Sequence, residues 1–396
     1  MNTVLVRLAF IKSAQTALML LIPLLLVQSS RATSSFVLAR VLEALPLLVL
    51  GLLGGLLVDR LGAQRVNRLA LVAYLVPPAM LACAHLQWLP TSILPLASMG
   101  AVALGQLLVL CGDRVVLDKI PSDDLPRYNA NAILIERATS LALPPVLGGL
   151  ALWSLDAAVC ATAALGMLGA LCLAWLSPNG QSTANATRMS ISEQLRAGFS
   201  ALAGERFLRD LILIAMLVNG LEAVPIAYTF LYAHEGLHMN AAEIGMLTTM
   251  TGLGGLCAAT LARQLKTSRA RLLSIFVASM LVNATLYALI WVLNHKYALL
   301  AAKLLEAFSF VFSAVAYRTL RQEHTAKALF GTISGAVGFT VKLCIPFTIL
   351  LAGVMLAGVA PQDLFLGTAI AELLLAVCVG AWARRQVTRF DKKAYA

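Results

Sequence analysis

Charge is scarce in this sequence. Only 12% of its 396 residues are charged and 60% are hydrophobic, with a mean hydropathy of +0.85. A water-soluble fold of this length needs far more polar surface, so a soluble globular protein is excluded. Cysteine is sparse as well. Its seven positions (Cys83, Cys111, Cys160, Cys172, Cys257, Cys344, Cys378) lie inside apolar runs and form no CxxC pair. They read as small packing residues, not as a disulfide or metal framework. No Walker motif, nucleophile elbow or HExxH occurs, so ATP hydrolysis and hydrolase chemistry have no support. The chain is expected to be no enzyme, and to need no cofactor or bound metal.

What the sequence does have is long apolar runs. Twelve fall at 4–28, 35–58, 67–87, 92–115, 129–152, 157–176, 208–233, 241–262, 271–293, 297–320, 329–357 and 363–383. A helix needs about 20 apolar residues to cross the bilayer's hydrocarbon. Only helices or closed barrels satisfy every backbone group there. These runs are too long for strands and lack strict alternation. The expected fold is therefore an all-α membrane protein of 12 transmembrane helices. The first run holds Lys12 and Gln15, is too long for a signal peptide and lacks a small-residue cleavage site.

Basic residues set the orientation. The net charge is +11, which at first sight suggests nucleic acid. Its placement explains it without such a partner. Loops on one side carry only Arg31 and Lys296. The other side holds Arg60, Arg65, Arg68, Lys119, Arg127, the 177–207 segment and the basic tail from Arg384. The rule that basic loops stay inside then puts both termini in the cytoplasm, in an inner membrane. Trp88, Trp153 and Trp291 fall at outer helix ends, and Trp382 at an inner one, as an aromatic belt does.

The longest interruption, 177–207, splits the runs six and six. It opens with a polar linker and continues as an amphipathic stretch with Leu195, Phe199, Leu202 and Phe207 at near-helical spacing. The expected domains are a six-helix bundle over 1–176, a cytoplasmic linker over 177–207, and a second bundle with a basic tail over 208–396. The halves echo each other. Pro23 answers Pro225, and Pro144-Pro145 answers Pro346. Paired six-helix halves suit a secondary transporter.

The loop after the second run reads Gly55-Leu-Leu-Val-Asp59-Arg60-Leu-Gly62-Ala-Gln-Arg65. It resembles the signature of the major facilitator superfamily, G-x-x-x-D-[RK]-x-G-[RK]-[RK], departing from it at Ala63 and Gln64. Gly55 suits close helix approach and Gly62 a tight turn. The resemblance implies a cytoplasmic latch that closes in the outward-facing state. In that family the latch acid meets another at the inner end of the fourth helix, here Asp113 or Asp118. The second-half copy, Gly255 to Arg263, has Thr260 near the acid's place.

In the fifth run, Pro144-Pro145-Val-Leu-Gly148-Gly149 resembles the exporter motif G-x-x-x-G-P-x-x-G-G of proton-coupled antiporters. Its P-x-x-G-G core survives. Pro144 and Ser140 stand where the earlier glycines would be. Prolines and paired glycines kink a helix and admit a close neighbour. With Leu125 to Ala132, this end resembles the branch of enterobactin-type siderophore exporters and drug efflux proteins.

Ionisable residues inside the bilayer are functional candidates by default. Arg40–Glu43 and Lys303–Glu306 are i,i+3 pairs on one helix face, suited to neutralising each other. Lys12 and Gln15 share a face of the first run. Lys303, Glu306, Phe310 and Tyr317 form a polar-aromatic stripe on the tenth. Lys12, Arg137 and Lys342 have no opposite charge at helical spacing, so either acids on other helices or an acidic substrate must answer them. Glu222 lies mid-helix without a local base, which makes it the proton-carrier candidate. Glu372 falls in the twelfth run, which the family architecture places at the periphery, where packing or oligomer contact is its expected use. His234 and His238 are four apart in an outer loop, a spacing that also fits a solvated loop.

These features point to a proton-coupled exporter of a small, acidic, siderophore-like metabolite, working as a monomer in the lipid bilayer. A broad-range multidrug efflux pump, an importer of an iron–siderophore complex and a transport-dead scaffold stay open as alternatives.

Overall fold

Where no water reaches the backbone, every N–H and C=O must be satisfied within a helix or a closed sheet. Helices are the solution here, and no strand occurs among the described residues. The computed structural model describes residues 2–28, 32–119, 125–175, 193, 196, 200, 204–262, 268–324 and 337–394. Nine helices among them are long and apolar enough to cross a membrane, and Ala138–Trp153 and Leu155–Leu171 are shorter apolar segments.

The chain divides into two compact units. Unit 1 comprises Met1–Gln194 with Met239–Thr249, and unit 2 comprises Leu195–His238 with Met250–Ala396. In unit 1 run α1 (Asn2–Gln28), α2 (Ala32–Leu61), α3 (Ala63–Ala73), α4 (Val76–His85), α5 (Leu94–Lys119), α6 (Leu125–Trp153) and α7 (Leu155–Trp175). Helix α1 is the centre of this unit and packs on α2, α5, α6 and α7. It can do so because Ala14, Ala17, Leu18, Leu21 and Ile22 are buried on it. The third run is two helices, α3 and α4. Pro77 and Pro78 occupy the first turn of α4, where their missing N–H groups cost nothing.

Unit 2 holds α8 (Arg206–Leu231), a π-turn (Tyr232–Gly236), α9 (Ala241–Ala262, whose first turns group with unit 1), α10 (Arg269–Leu293), α11 (Lys296–Glu323), α12 (Ile345–Met355) and α13 (Asp363–Ala394). Helix α10 lies between α11 and α13, and α8 packs on α11, α12 and α13. The helix ends are closed locally. Glu205 accepts a hydrogen bond from Leu208 N at 2.8 Å at the start of α8. Asn240 and Glu243 bond each other's backbone N–H, both at 3.0 Å, in a reciprocal cap on α9. Asn294, in a left-handed conformation with φ 42°, ends α10.

The eleventh run is interrupted. Residues 337–340 are helical, 341–344 form turns, and α12 resumes at Ile345. Pro346 fits the break, since it has no N–H to continue the ladder from the preceding turn and stands in the first turn of α12, where that N–H is not needed.

Candidate functional site

The polar residues of unit 2 converge where α8, α10, α11 and α13 meet. All the helices around them are apolar, so the polar groups must satisfy one another. Lys303 Nζ lies 2.6 Å from Glu306 Oε2, one helical turn away on α11. Tyr287 on α10 donates its hydroxyl to Glu306 Oε1 at 3.0 Å. Asn283, one turn from Tyr287, donates Nδ2 to Glu222 Oε1 on α8 at 2.7 Å. Glu372 on α13 is fully buried and within electrostatic reach of Glu222 and Glu306. Of the two uses expected for Glu372, packing or oligomer contact, its burial fits packing, while Ile370, Leu373, Leu374 and Val377 form the exposed outer face of the same helix. That helix packs against both α8 and α10, which closes its acid inside the unit.

Sequence reasoning missed Asn283 and Tyr287. Their signal is a polar pair at i,i+4 in an otherwise apolar run, the spacing that puts both on one helix face. Tyr317, further along α11, stands beside Arg318 and Arg321 instead, near the packed cluster of Leu211, Phe276 and Leu320.

Lys342 sits in the broken segment before α12. It is half-buried and has no ion-pair partner among the described residues. Close by, α12 and α8 approach tightly: a Cβ at Gly220 would stand 2.8 Å from Cys344 Cβ, and Thr348 donates to the Gly220 carbonyl at 2.7 Å. An unwound turn beside a close helix contact is where membrane transporters place polar sites.

Unit 1 answers one of the solitary bases. Lys12 Nζ is 3.2 Å from Glu136 Oε1 across α1 and α6, so an acid on another helix partners it. Gln15, one turn on, faces Gly105 of α5, whose missing side chain makes room for its amide. Arg40 and Glu43 pair at 2.9 Å, and Ser98 of α5 donates to the same carboxylate. Arg7, buried at the start of α1, bonds Asn67 of α3. The side chain of Arg137 lies outside the described residues.

Of the latch residues, Gly62 breaks the chain between α2 and α3 with φ 80°, a left-handed conformation that requires glycine. Arg65 is exposed. Gly55 lies in α2, and the side chains of Asp59, Arg60, Asp113 and Asp118 lie outside the described residues. Pro144 and Gly148 are buried, Pro145 is half-buried and Gly149 is exposed. A Cβ at Gly148 would stand 2.7 Å from the Ala241 carbonyl oxygen, and one at Gly245 would stand 2.6 Å from that of Pro144. The glycines let α6 and the first turns of α9 touch backbone to backbone. Among the described residues no group of His, Cys, Asp or Glu is arranged to hold a metal, His234 and His238 included.

The match to known families covers most of the chain. Residues 8–349 match the model of the Major Facilitator Superfamily. The chain belongs to that superfamily. It is therefore a membrane transporter for a small-molecule substrate. No curated relative matches it by sequence. Similar solved structures include the nucleoside transporter NupG, at 14% identity and a TM-score of 0.68 over 96% of this chain and 99% of that one. A POT family transporter in complex with 5-aminolevulinic acid is similar at 12% identity and a TM-score of 0.72, over 96% of each chain. A bacterial homologue of the iron transporter ferroportin in an outward-facing state gives 14% identity and 0.63, over 98% and 99%. At these identities the likeness carries the fold alone.

Proposed function

We propose that this transporter exports a small acidic solute of siderophore-like chemistry from the cytoplasm, in exchange for protons. The observation that carries the reading is Glu222. It is a carboxyl buried mid-helix in an apolar unit, and its described polar contact is the neutral amide of Asn283. A carboxyl so placed suits reversible protonation, because only its neutral form is at ease away from water. Lys342 supports the acidic substrate, as a cation at a helix break without a described counter-ion. The exporter-type Pro145-x-x-Gly148-Gly149 sequence, with its backbone contact to α9, supports the outward direction.

The pairing of Lys12 with Glu136 favours a second reading, a broad-range efflux pump, because it removes one of the bases that would select an anion. Inverted vesicles with an imposed pH gradient separate the two. On the first reading a catecholate siderophore accumulates and a neutral dye does not. Lys342→Met then weakens catecholate uptake, and Glu222→Gln abolishes the response to the gradient. Equal uptake of both probes, unchanged in Lys342→Met, selects the second reading. A full gradient response in Glu222→Gln removes Glu222 as proton carrier.

A further inference from the structure

The buried charges of unit 2 do not balance. Glu222 on α8, Glu306 on α11 and Glu372 on α13 lie within electrostatic reach of one another and of Tyr287 on α10. Lys303 is the base among them in the described residues. If all four ionised, two negative charges would remain buried among apolar helices. An uncompensated buried charge is strongly disfavoured and is removed by protonation where that is possible.

Hydrogen bonding orders the three acids. Glu306 has an ammonium at 2.6 Å on one oxygen and the Tyr287 hydroxyl at 3.0 Å on the other. Ammonium and hydroxyl are both donors, and the Glu306 carboxylate accepts from each. Glu222 accepts a single bond, from the Asn283 amide, which a neutral carboxyl can also accept through its C=O. Glu372 is 0% exposed, and among the described residues neither of its oxygens has a hydrogen-bond partner. An ionised carboxylate offers about four acceptor sites, and here none is used. Glu372 is therefore the worst placed of the three to hold a charge.

Among the described residues around the cluster, no other side chain supplies a counter-charge. Tyr228 on α8 and Tyr232 in the following π-turn are engaged with the Ile349 carbonyl and Asn294. Asp363, at the start of α13, accepts from Trp291. Helix α12 (Ile345–Met355) carries no titratable side chain. Helix α9, which meets α11 where Gly254 lies against Leu304, carries Glu243 in its first turn and Cys257. The described acids are not arranged as a metal site.

We propose that Glu222, Glu306 and Glu372 form one proton-binding site around Lys303, which holds two protons in this conformation, one on Glu222 and one on Glu372. Binding forms an O–H bond at each carboxylate, and the Lys303–Glu306 ion pair persists. The cluster is then neutral. Its part in transport rests on the proton-coupled reading above, whereas its occupancy by protons does not.

Infrared spectroscopy of the full-length protein in lipid tests it, through the C=O band of protonated carboxyls that disappears on titration to alkaline pH. Wild type shows two buried contributions, Glu372→Gln lacks one and Glu222→Gln lacks the other. An unchanged band in Glu372→Gln overturns the proposal. Should Glu372→Gln fail to fold, Glu222→Gln alone decides: one contribution must remain, and none remaining overturns the proposal. Thermal stability in detergent gives a second readout. A folded state that holds a proton the unfolded chain has released loses stability as pH rises above the ordinary carboxylate range. Melting temperature should fall with pH less steeply in Glu372→Gln than in wild type, and equal slopes count against it. The transport reading fails separately, if Glu222→Gln vesicles respond normally to a pH gradient while both infrared contributions behave as described.

Discussion

Lys303 sits one helical turn from Glu306, and the cost of separating the two shows how a single residue matters in this molecule. Both are at least nine-tenths buried, at 7% exposure each. Removing one partner of a buried pair leaves the other charged and unanswered, at roughly 3–5 kcal/mol. Lys303→Met is expected to lose about that much stability in detergent thermal unfolding. The double variant Lys303→Met/Glu306→Gln should recover most of the loss, because it removes the charge along with its partner. A double variant as unstable as the single one would mean that packing around the lysine stem, not charge, sets the cost. This pair was legible in the sequence, as was Arg40–Glu43, because a three-residue step on a helix fixes a neighbour. Lys12–Glu136 was not. Its two members are 124 residues apart, and no spacing says which helix faces which. Glu372 was visible as a buried acid, but its neighbours were hidden for the same reason.

Helix α6 shows what adjacent glycines do at the scale of an element. Gly148 faces the Ala241 carbonyl, whereas Gly149 has nothing within 4 Å of where its Cβ would be. The motif reads as a glycine pair, but only one member makes the close approach. Gly149→Ala is expected to be neutral or to stabilise α6 by about 0.5–1 kcal/mol, since alanine restricts the unfolded chain and meets no atom. Gly148→Ala must push α6 and α9 apart and should lower the melting temperature clearly. Equal effects at the two positions would exclude a one-sided contact. The break before α12 and the split between α3 and α4 lie inside runs that read as continuous in the sequence, although Pro346 and Pro77-Pro78 stand in the first turns of the helices that resume there. The left-handed turn at Gly62 was legible, as the glycine of a motif. The site's placement at a four-helix junction was not, because it depends on packing partners that periodicity leaves open.

The molecule as a whole belongs to a superfamily of membrane transporters, and its remaining large-scale question is orientation. Hydropathy alone made the all-helical fold readable, since the bilayer leaves so few alternatives. Orientation rests on a different physical effect, the retention of Lys and Arg in the cytoplasm during insertion. Loops assigned to the outside carry Arg31 and Lys296, while the opposite side carries Arg60, Arg65, Arg68, Lys119, Arg127, Arg188, Arg196 and the basic tail. Trp153, an outer-belt residue in this orientation, is 82% exposed at the end of α6, where an interfacial ring belongs. Both termini and the 177–207 segment are therefore expected in the cytoplasm. A reporter active only outside the cytoplasmic membrane should stay silent when fused at the C-terminus or within 177–207, and should work when fused after Asn294, which ends α10. Activity at the C-terminus with silence at Asn294 would invert the molecule. Under that inversion protons would enter from the face assigned here to the cytoplasm, and the export direction would fall with the topology.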